Sequence, residues 1–220
     1  YLRIISDVHG AISEPNQQIN LCDRTYLNLV KDCEYTIQIG DVGYGGCLRP
    51  LYDNNPNPEK HKCVLGNHDN YDRIIPQSLG NFGMNNLGGF EFFHIRGEYS
   101  VDKQYRIPYI DWWPNEELNA MESSNCIDAW TKAKPDIVIS HGCPFSIIPF
   151  VLPQHSVIYP HSFTSKLLEV MLSIHQPKVW IFGHYHVNFY RMVNNTRFIC
   201  MESLGYLDFD ENLLSNWAIT

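Results

Sequence analysis

Residues able to bind metal ions occur in five short polar groups along the chain. In order, these groups are Asp7-Val8-His9, Gly40-Asp41-Val42-Gly43, Gly66-Asn67-His68-Asp69, Ser140-His141-Gly142 and Gly183-His184-Tyr185-His186. Imidazole, carboxylate and amide oxygen together suit divalent manganese, iron or zinc, whereas calcium prefers oxygen alone and iron–sulfur clusters need cysteine. The residue types therefore predict a transition-metal site.

Seven side chains in these groups are candidate ligands, which is more than one tetrahedral ion accepts. They are Asp7, His9, Asp41, Asn67, His141, His184 and His186. Two ions about 3.5 to 4 Å apart, sharing a bridging carboxylate and a bridging hydroxide, would use this many ligands and leave positions for substrate oxygens. The chemistry expected of such a centre is metal-assisted hydrolysis.

Each polar group follows a short apolar run that is typical of a buried strand. The predicted strands near or between these groups are Leu2–Ile5, Tyr35–Ile39, Cys63–Leu65, Phe90–Ile95, Asp136–Ile139 and Lys178–Phe182. Helical spacing predicts helices over Leu21–Val30, Asn115–Lys132 and Ser162–Ile174, the second with Pro114 at its start. This alternation indicates an α/β fold, in which loops at the carboxyl ends of the strands can share one ligand.

The remaining patterns indicate turns and loops within one domain spanning residues 1–220. Asn188–Val193 and Arg197–Met201 flank Asn194-Asn195-Thr196, which predicts a hairpin because Asn tolerates left-handed geometry. The same three residues match a glycosylation acceptor, but the turn is the preferred interpretation. Proline-punctuated stretches at 49–58 and 144–160 predict surface loops.

Taken in order, the five polar groups resemble the calcineurin-like metallophosphoesterase family, and the resemblance runs from Asp7 to His186. It implies a four-layer sandwich of two mixed β-sheets flanked by helices, a fold that some schemes class as α+β. It also implies a ligand assignment. Asp7, His9 and His186 would hold the first metal, Asn67, His141 and His184 the second, and Asp41 would bridge the two.

The resemblance further implies an activity. We expect hydrolysis of phosphomonoester or phosphodiester bonds in a small-molecule or nucleotide substrate, by in-line attack of a metal-bridging hydroxide. The two divalent ions are expected to be manganese, with iron, zinc or nickel as alternatives. His68, beside the ligand Asn67, is the expected proton donor to the leaving alkoxide. Asp69 is expected to orient its loop.

One departure from the family pattern bears on the substrate. The protein Ser/Thr phosphatase branch continues its second motif with an Asp and a phosphate-gripping Arg, whereas this chain continues Gly43-Tyr44-Gly45-Gly46. Arg49 is a possible substitute, although a solvated surface role is preferred. A small phosphorylated substrate is therefore favoured over a phosphoprotein. Tyr44, Tyr185 and the Trp112-Trp113 pair could stack on a base, although packing is preferred for the tryptophans.

Composition narrows the function classes further. Sixteen basic against 24 acidic residues give a net charge of −8 without a basic cluster, so nucleic acid is not an expected partner. The sequence contains no apolar run of about 18 residues that would span a membrane. Seven cysteines without a C-x-x-C pair indicate reduced, buried thiols rather than disulfides or a thiolate zinc site, and a cytoplasmic protein.

Two other functions remain open at this point, while the oligomeric state is not predicted. A catalytically weak scaffold of the same fold, such as the degenerate member of the retromer complex, would bind a protein partner. A nuclease of the same superfamily would need a basic channel. The enzyme is preferred over the scaffold because all seven ligand positions and His68 are present. Histidines outside the motifs are assigned no role: His61, His94, His155, His161 and His175.

Overall fold

The computed structural model describes residues 1–10, 25–43, 57–73, 75–153 and 161–210. The strands among them are β1 (Leu2–Ile5), β2 (Thr36–Ile39), β3 (His61–Val64), β4 (Phe82–Leu87), β5 (Phe90–Ile95), β6 (Ile137–Ser140), β7 (Val179–Phe182), β8 (Phe189–Val193), β9 (Thr196–Cys200) and β10 (Tyr206–Phe209). The helices are α1 (Tyr26–Val30), α2 (Ala120–Ala133), α3 (Ile148–Val151) and α4 (Phe163–Ile174), with 3-10 turns at Lys103–Tyr105 and Phe145–Ile147.

These strands form two mixed sheets. One has the order β10-β1-β2-β3, and the other has the order β4-β5-β6-β7-β9-β8. Strands β1, β2 and β3 run parallel, as do β5, β6, β7 and β9. The antiparallel strands β10, β4 and β8 lie at sheet edges. The carboxyl ends of the parallel strands within each sheet therefore lie at one side of it.

The apolar strands are buried on both faces. In β7, Ile181 points into the core between the two sheets, while its neighbour Trp180 points toward the core formed with α2 and α4. In β1, Ile4 faces the inter-sheet core and Ile5 faces the core that includes α1 residues. Because successive strand side chains point to opposite faces, two buried faces require a continuous apolar run. The expected four-layer fold is confirmed.

Helix α2 begins later than its sequence pattern suggested. The predicted start at Asn115 is wrong, since the helix starts at Ala120 behind the capping residue Asn119. Asn119 accepts a hydrogen bond from the Glu122 amide, and the Glu122 side chain accepts one from the Asn119 amide. This reciprocal pair satisfies two amides that would otherwise be unpaired, so it fixes the first turn. Pro114 precedes the helix and does not start it.

Two strands were not predicted, and one predicted loop is partly helical. Strand β4 carries a glycine and two asparagines, which are poor strand formers, and it forms by antiparallel pairing with β5. Strand β10 pairs with β1, so Leu2 lies opposite Phe209 across almost the whole chain. The predicted loop 144–160 contains a 3-10 turn and α3.

Other predictions about local structure are confirmed where the described residues test them. Strands β8 and β9 form the expected hairpin, with Asn194 in the left-handed region at φ 52°. The five cysteines among the described residues are buried free thiols: Cys33, Cys63, Cys126, Cys143 and Cys200. Residues 21–24, 49–56 and 154–160, with Cys22, Cys47 and His155, lie outside the described part. Over the described ranges, the structure contains no helix with the length and apolarity of a membrane span.

Candidate metal centre

Loops after β1, β2, β3, β6 and β7 bring the seven predicted ligands together. Potential ligand atoms lie within 4.8 Å of one another in two groups. The first group contains Asp7, His9, Asp41 and His186, and the second contains Asp41, His141 and His184. Asp41 alone belongs to both groups, and it is almost fully buried. The geometry thus places a single carboxylate between two sets of donors.

The amide oxygen of Asn67 joins the second group. Its Oδ1 atom lies 3.0 Å from His141 Nε2 and 3.0 Å from His184 Nδ1. On the other side, Asn67 Nδ2 donates to Ser100 Oγ at 2.9 Å, and Ser100 Oγ donates to Glu116 Oε2 at 2.5 Å. This chain of hydrogen bonds decides which end of the amide faces the histidines.

The ring of His141 is also oriented by a hydrogen bond. Its Nδ1 donates to the backbone carbonyl of Ile39 at 3.0 Å, so Nε2 is left to face Asp41 Oδ1 at 3.2 Å. A backbone partner on one ring nitrogen commonly sets which nitrogen a metal receives. The ring nitrogen of His141 that faces the site is therefore Nε2.

The ligand backbones are strained. Five of the seven candidates adopt positive φ angles, between 42° and 67°: Asp7, His9, Asp41, His184 and His186. For residues other than glycine, such angles cost about 1 to 3 kcal/mol each and persist where surrounding contacts impose them. Here the His9 amide donates to the Asp41 carbonyl at 2.8 Å, and the His184 amide donates to the Asp7 carboxylate at 3.1 Å.

Two glycines let the ligands approach the backbone closely. A Cβ atom at Gly40 would lie 2.1 Å from His141 Nδ1, and Gly40 has a φ of 107°. A Cβ atom at Gly66 would lie 2.3 Å from the Asp41 amide nitrogen. Neither distance is sterically possible. These glycines are required by the packing of the site itself, as their place beside the polar groups suggested.

The charges of the site fit divalent cations. Burial alone would raise the pKa of Asp41, but the neighbouring His141, His68 and His9 hold that pKa well below its usual value. Burial lowers the pKa of His184 to about 3, which leaves its imidazole neutral and able to bind a metal. Burial opposes protonation of His141 as well, but the Asp41 charge outweighs it and raises the pKa of His141 to about 10. Buried carboxylates are stabilised by nearby positive charge. Metal ions bound by these donors would supply that charge.

His68 lies beside the ligands without joining either group. Its Nε2 atom is 3.9 Å from Asp41 Oδ2, and its ring meets His9 edge to face. Its next neighbour, Asp69, accepts hydrogen bonds from the amides of Val42, Gly43 and Gly66. Asp69 therefore ties the loops after β2 and β3 together, in agreement with its expected role.

Three residues at the site carry no motif in the sequence. Ser100 and Glu116 form the chain that orients Asn67, and Arg106 contacts the ring of His68. All three come from the segment between β5 and α2, where no spacing pattern marks them. The acidic pair Glu116-Glu117 is typical of the first turn of a helix, but α2 begins at Ala120, and the pair gave no indication of a contact with Asn67.

Two of the suggested base-stacking aromatics, Tyr185 and Trp113, are buried, whereas Trp112 is partly exposed with Lys103 Nζ 5.6 Å from its ring centroid. Tyr185 packs in the apolar core with its hydroxyl 3.5 Å from Cys143 Sγ, and Trp113 is buried. Tyr44 and Arg49 lie outside the described residues.

Three of the histidines outside the motifs form hydrogen bonds away from the site. Each of three contacts a backbone carbonyl or a threonine hydroxyl: His94 at Gly83, His175 at Pro135 and His61 at Thr36.

Comparisons with known proteins agree with this geometry. Residues 2–188 match the family model for calcineurin-like phosphoesterases. The phosphopantetheinyl hydrolase of Mycobacterium tuberculosis is similar in structure, with a TM-score of 0.56 and 12% identity over 92% of this chain and 89% of that one. A putative 5'-nucleotidase from Staphylococcus aureus gives a TM-score of 0.53 and 13% identity over 96% of this chain.

This chain spans about half of that nucleotidase, covering 51% of its length. At such identities the two structures establish a shared fold only. A search of curated sequences finds no significant match. The family match covers every predicted ligand and most of the chain. We conclude that this chain belongs to the calcineurin-like phosphoesterase family, a family of metal-dependent phosphoesterases.

Proposed function

We propose that this protein is a dinuclear metallophosphoesterase that hydrolyses a small phosphorylated substrate, with manganese as the preferred ion. The observation that supports this most directly is the position of Asp41, whose carboxylate belongs to both groups of ligand atoms. In this assignment Asp7, His9 and His186 hold one ion, and Asn67, His141 and His184 hold the other, with Asp41 shared.

Each part of the site then has a chemical task. Two divalent ions, when bound, activate a water molecule and offset the charge of the phosphoryl oxygens. Asp41 fixes the spacing of the two sites, because its two oxygens face different donors. In this proposal His68 is the proton donor to the leaving oxygen, because it lies beside the ligands and belongs to neither group. Ser100 and Glu116 keep the Asn67 oxygen directed at the centre.

The same observations favour an enzyme over the alternatives. A scaffold needs neither the strained ligand backbones nor the hydrogen bonds that orient His141 and Asn67. A nuclease would need clustered cations, whereas the chain carries a net charge of −8. The buried free thiols suit a reducing compartment, which supports a cytoplasmic location.

The test is metal-dependent turnover of simple esters. The purified protein, with and without manganese, is assayed on p-nitrophenyl phosphate, bis-p-nitrophenyl phosphate, nucleotides, cyclic nucleotides and phosphopeptides. Asp41→Asn should lose most bound metal and nearly all turnover, because an amide bridges poorly and carries no charge. Asp136→Asn is the matched control, since it removes the same charge from an exposed ion pair with Lys178. Wild-type metal content and turnover in Asp41→Asn would contradict the proposal.

A further inference from the structure

The segment between β5 and α2 places an arginine against the proposed proton donor. Arg106 directly follows the 3-10 turn Lys103–Tyr105, and its side chain is only 12% exposed. Its Nη1 and Nη2 atoms lie 2.8 Å and 3.0 Å from the two ring nitrogens of His68. His68 in turn lies 3.9 Å from Asp41. The guanidinium is therefore separated from the shared carboxylate by one imidazole ring.

Neighbouring groups hold this guanidinium in place. Nη2 donates to Asp102 Oδ2 at 2.7 Å, and Nη1 donates to the Asp111 carbonyl at 3.2 Å. The loop that follows is closed by the Ile107 amide donating to Asp111 Oδ1 at 2.5 Å and the Tyr109 amide donating to the Trp112 carbonyl at 2.7 Å. An arginine fixed in this way loses little side-chain freedom when it binds a ligand.

The charge of Arg106 needs an explanation at this position. A site that accepts two dications repels a further cation, and Asp102, the partner that offsets the arginine, is itself 48% exposed. An anion bound beside the His68 ring, in contact with both the arginine and the metal ligands, would offset this repulsion. Among side-chain cations, the planar guanidinium is the one that binds phosphate oxygens through two parallel hydrogen bonds.

We propose that Arg106 binds the phosphoryl group of the substrate and selects dianionic phosphomonoesters. This inference rests on the proposed function. A monoester presents three free phosphoryl oxygens and two negative charges, whereas a diester presents two free oxygens and one charge. An extra cation beside the centre therefore stabilises a bound monoester more than a bound diester. Asp102 is a positioning residue that directs the guanidinium.

The test compares Arg106→Gln with Arg106→Lys and with Arg3→Gln. Arg3 is the matched control, because it also forms an ion pair with an aspartate, Asp208, but on β1 four residues before Asp7. Inorganic phosphate is titrated by calorimetry into each manganese-loaded protein, and metal content is measured in parallel. Arg106→Gln should bind phosphate about 10- to 100-fold more weakly, equivalent to about 1.4 to 2.8 kcal/mol. Arg106→Lys should lie between wild type and Arg106→Gln, with metal content unchanged.

Steady-state rates supply the second measurement. For Arg106→Gln, kcat/KM should fall at least tenfold more for p-nitrophenyl phosphate than for its bis ester. The inference is overturned if phosphate affinity changes less than threefold, if Arg3→Gln has the same effect, or if both esters slow equally. If the wild-type protein hydrolyses neither ester, the proposed function fails, and the phosphate titration still decides whether Arg106 binds the anion.

Discussion

Replacing Ser100 by alanine should weaken one metal site and spare the other. The Ser100 hydroxyl connects Asn67 Nδ2, at 2.9 Å, to Glu116 Oε2, at 2.5 Å, and the Ser100 amide donates to Glu116 Oε1 at 3.0 Å. All three side chains are buried, so water does not replace the lost hydroxyl freely. In Ser100→Ala, the Asn67 amide loses the acceptor that keeps its oxygen toward His141 and His184.

The substitution should affect both the stability of the protein and its metal affinity. A buried donor left without a partner costs about 1 to 3 kcal/mol. Loss of a partner that orients a metal ligand reduces metal affinity by about 10- to 100-fold, which corresponds to about 1.4 to 2.8 kcal/mol. The first cost lowers the stability of the protein with or without metal, and the second sets the expected loss of affinity, about 10- to 100-fold for the ion held by Asn67. Binding to Asp7, His9 and His186 should change by less than threefold.

The assay is titration of the metal-free protein with manganese in competition with a fluorescent chelator, which resolves two binding steps. Ser165→Ala is the control, because Ser165 is also a buried serine that donates to a buried carboxylate, Glu98, at 3.0 Å. It contacts no proposed ligand. The reasoning is refuted if Ser100→Ala weakens both steps equally or neither step, or if Ser165→Ala has the same effect on metal affinity.

Three further predictions concern chemistry, ligand identity and stability. His68→Asn should keep both metals, as measured by elemental analysis. Its kcat should fall by about a hundred- to ten-thousandfold for alkyl phosphates, and by less for nitrophenyl phosphate, because the nitrophenolate leaving group needs no proton. Equal losses for the two ester types would show that His68 is not the acid. Cys143→Ser should keep its metal content and activity, because the thiol is buried against Tyr185; loss of one metal equivalent would make Cys143 a ligand. Burial raises the pKa of Glu98 from 4.5 to about 7, so the contribution of Glu98 to the free energy of unfolding falls by about 3 kcal/mol as pH rises from about 4.5 through 7. In urea unfolding, Glu98→Gln should reduce the difference between the unfolding free energies at pH 4 and pH 8 by about this amount. Asp69 and Glu116, whose pKa values burial also raises to about 7, keep their own contributions, and an unchanged pH dependence would contradict the prediction.

The residue patterns by themselves indicated an α/β alternation and the types of ligand, whereas the two-sheet, four-layer arrangement was implied by the resemblance to the family. The short apolar runs predicted buried strands, and the structure shows that these strands are buried on both faces, since Trp180 and Ile181 of β7 enter different cores. Such information is local, because strand periodicity and the turn after a strand depend on neighbouring residues. The seven donors could be recognised because each follows a strand end, and parallel strands bring their ends together. The start of α2 was predicted at Asn115, five residues before the observed start at Ala120.

Tertiary structure alone decided the contacts between segments that carry no pattern. Strand β10 exists because it pairs with β1, although its residues lie about two hundred positions away. Tyr185 occupies the core, where it packs against Phe182 and Cys143, although it lies between two predicted ligands in the sequence. The same holds for Arg106, which meets His68 across 38 residues, and for Ser100, which meets Asn67 across 33. The periodicity of apolar residues predicts which side chains are buried. It does not predict which charged or hydroxyl side chains come within hydrogen-bond distance of each other in the folded chain. Only the tertiary structure could therefore show which residues orient the ligands.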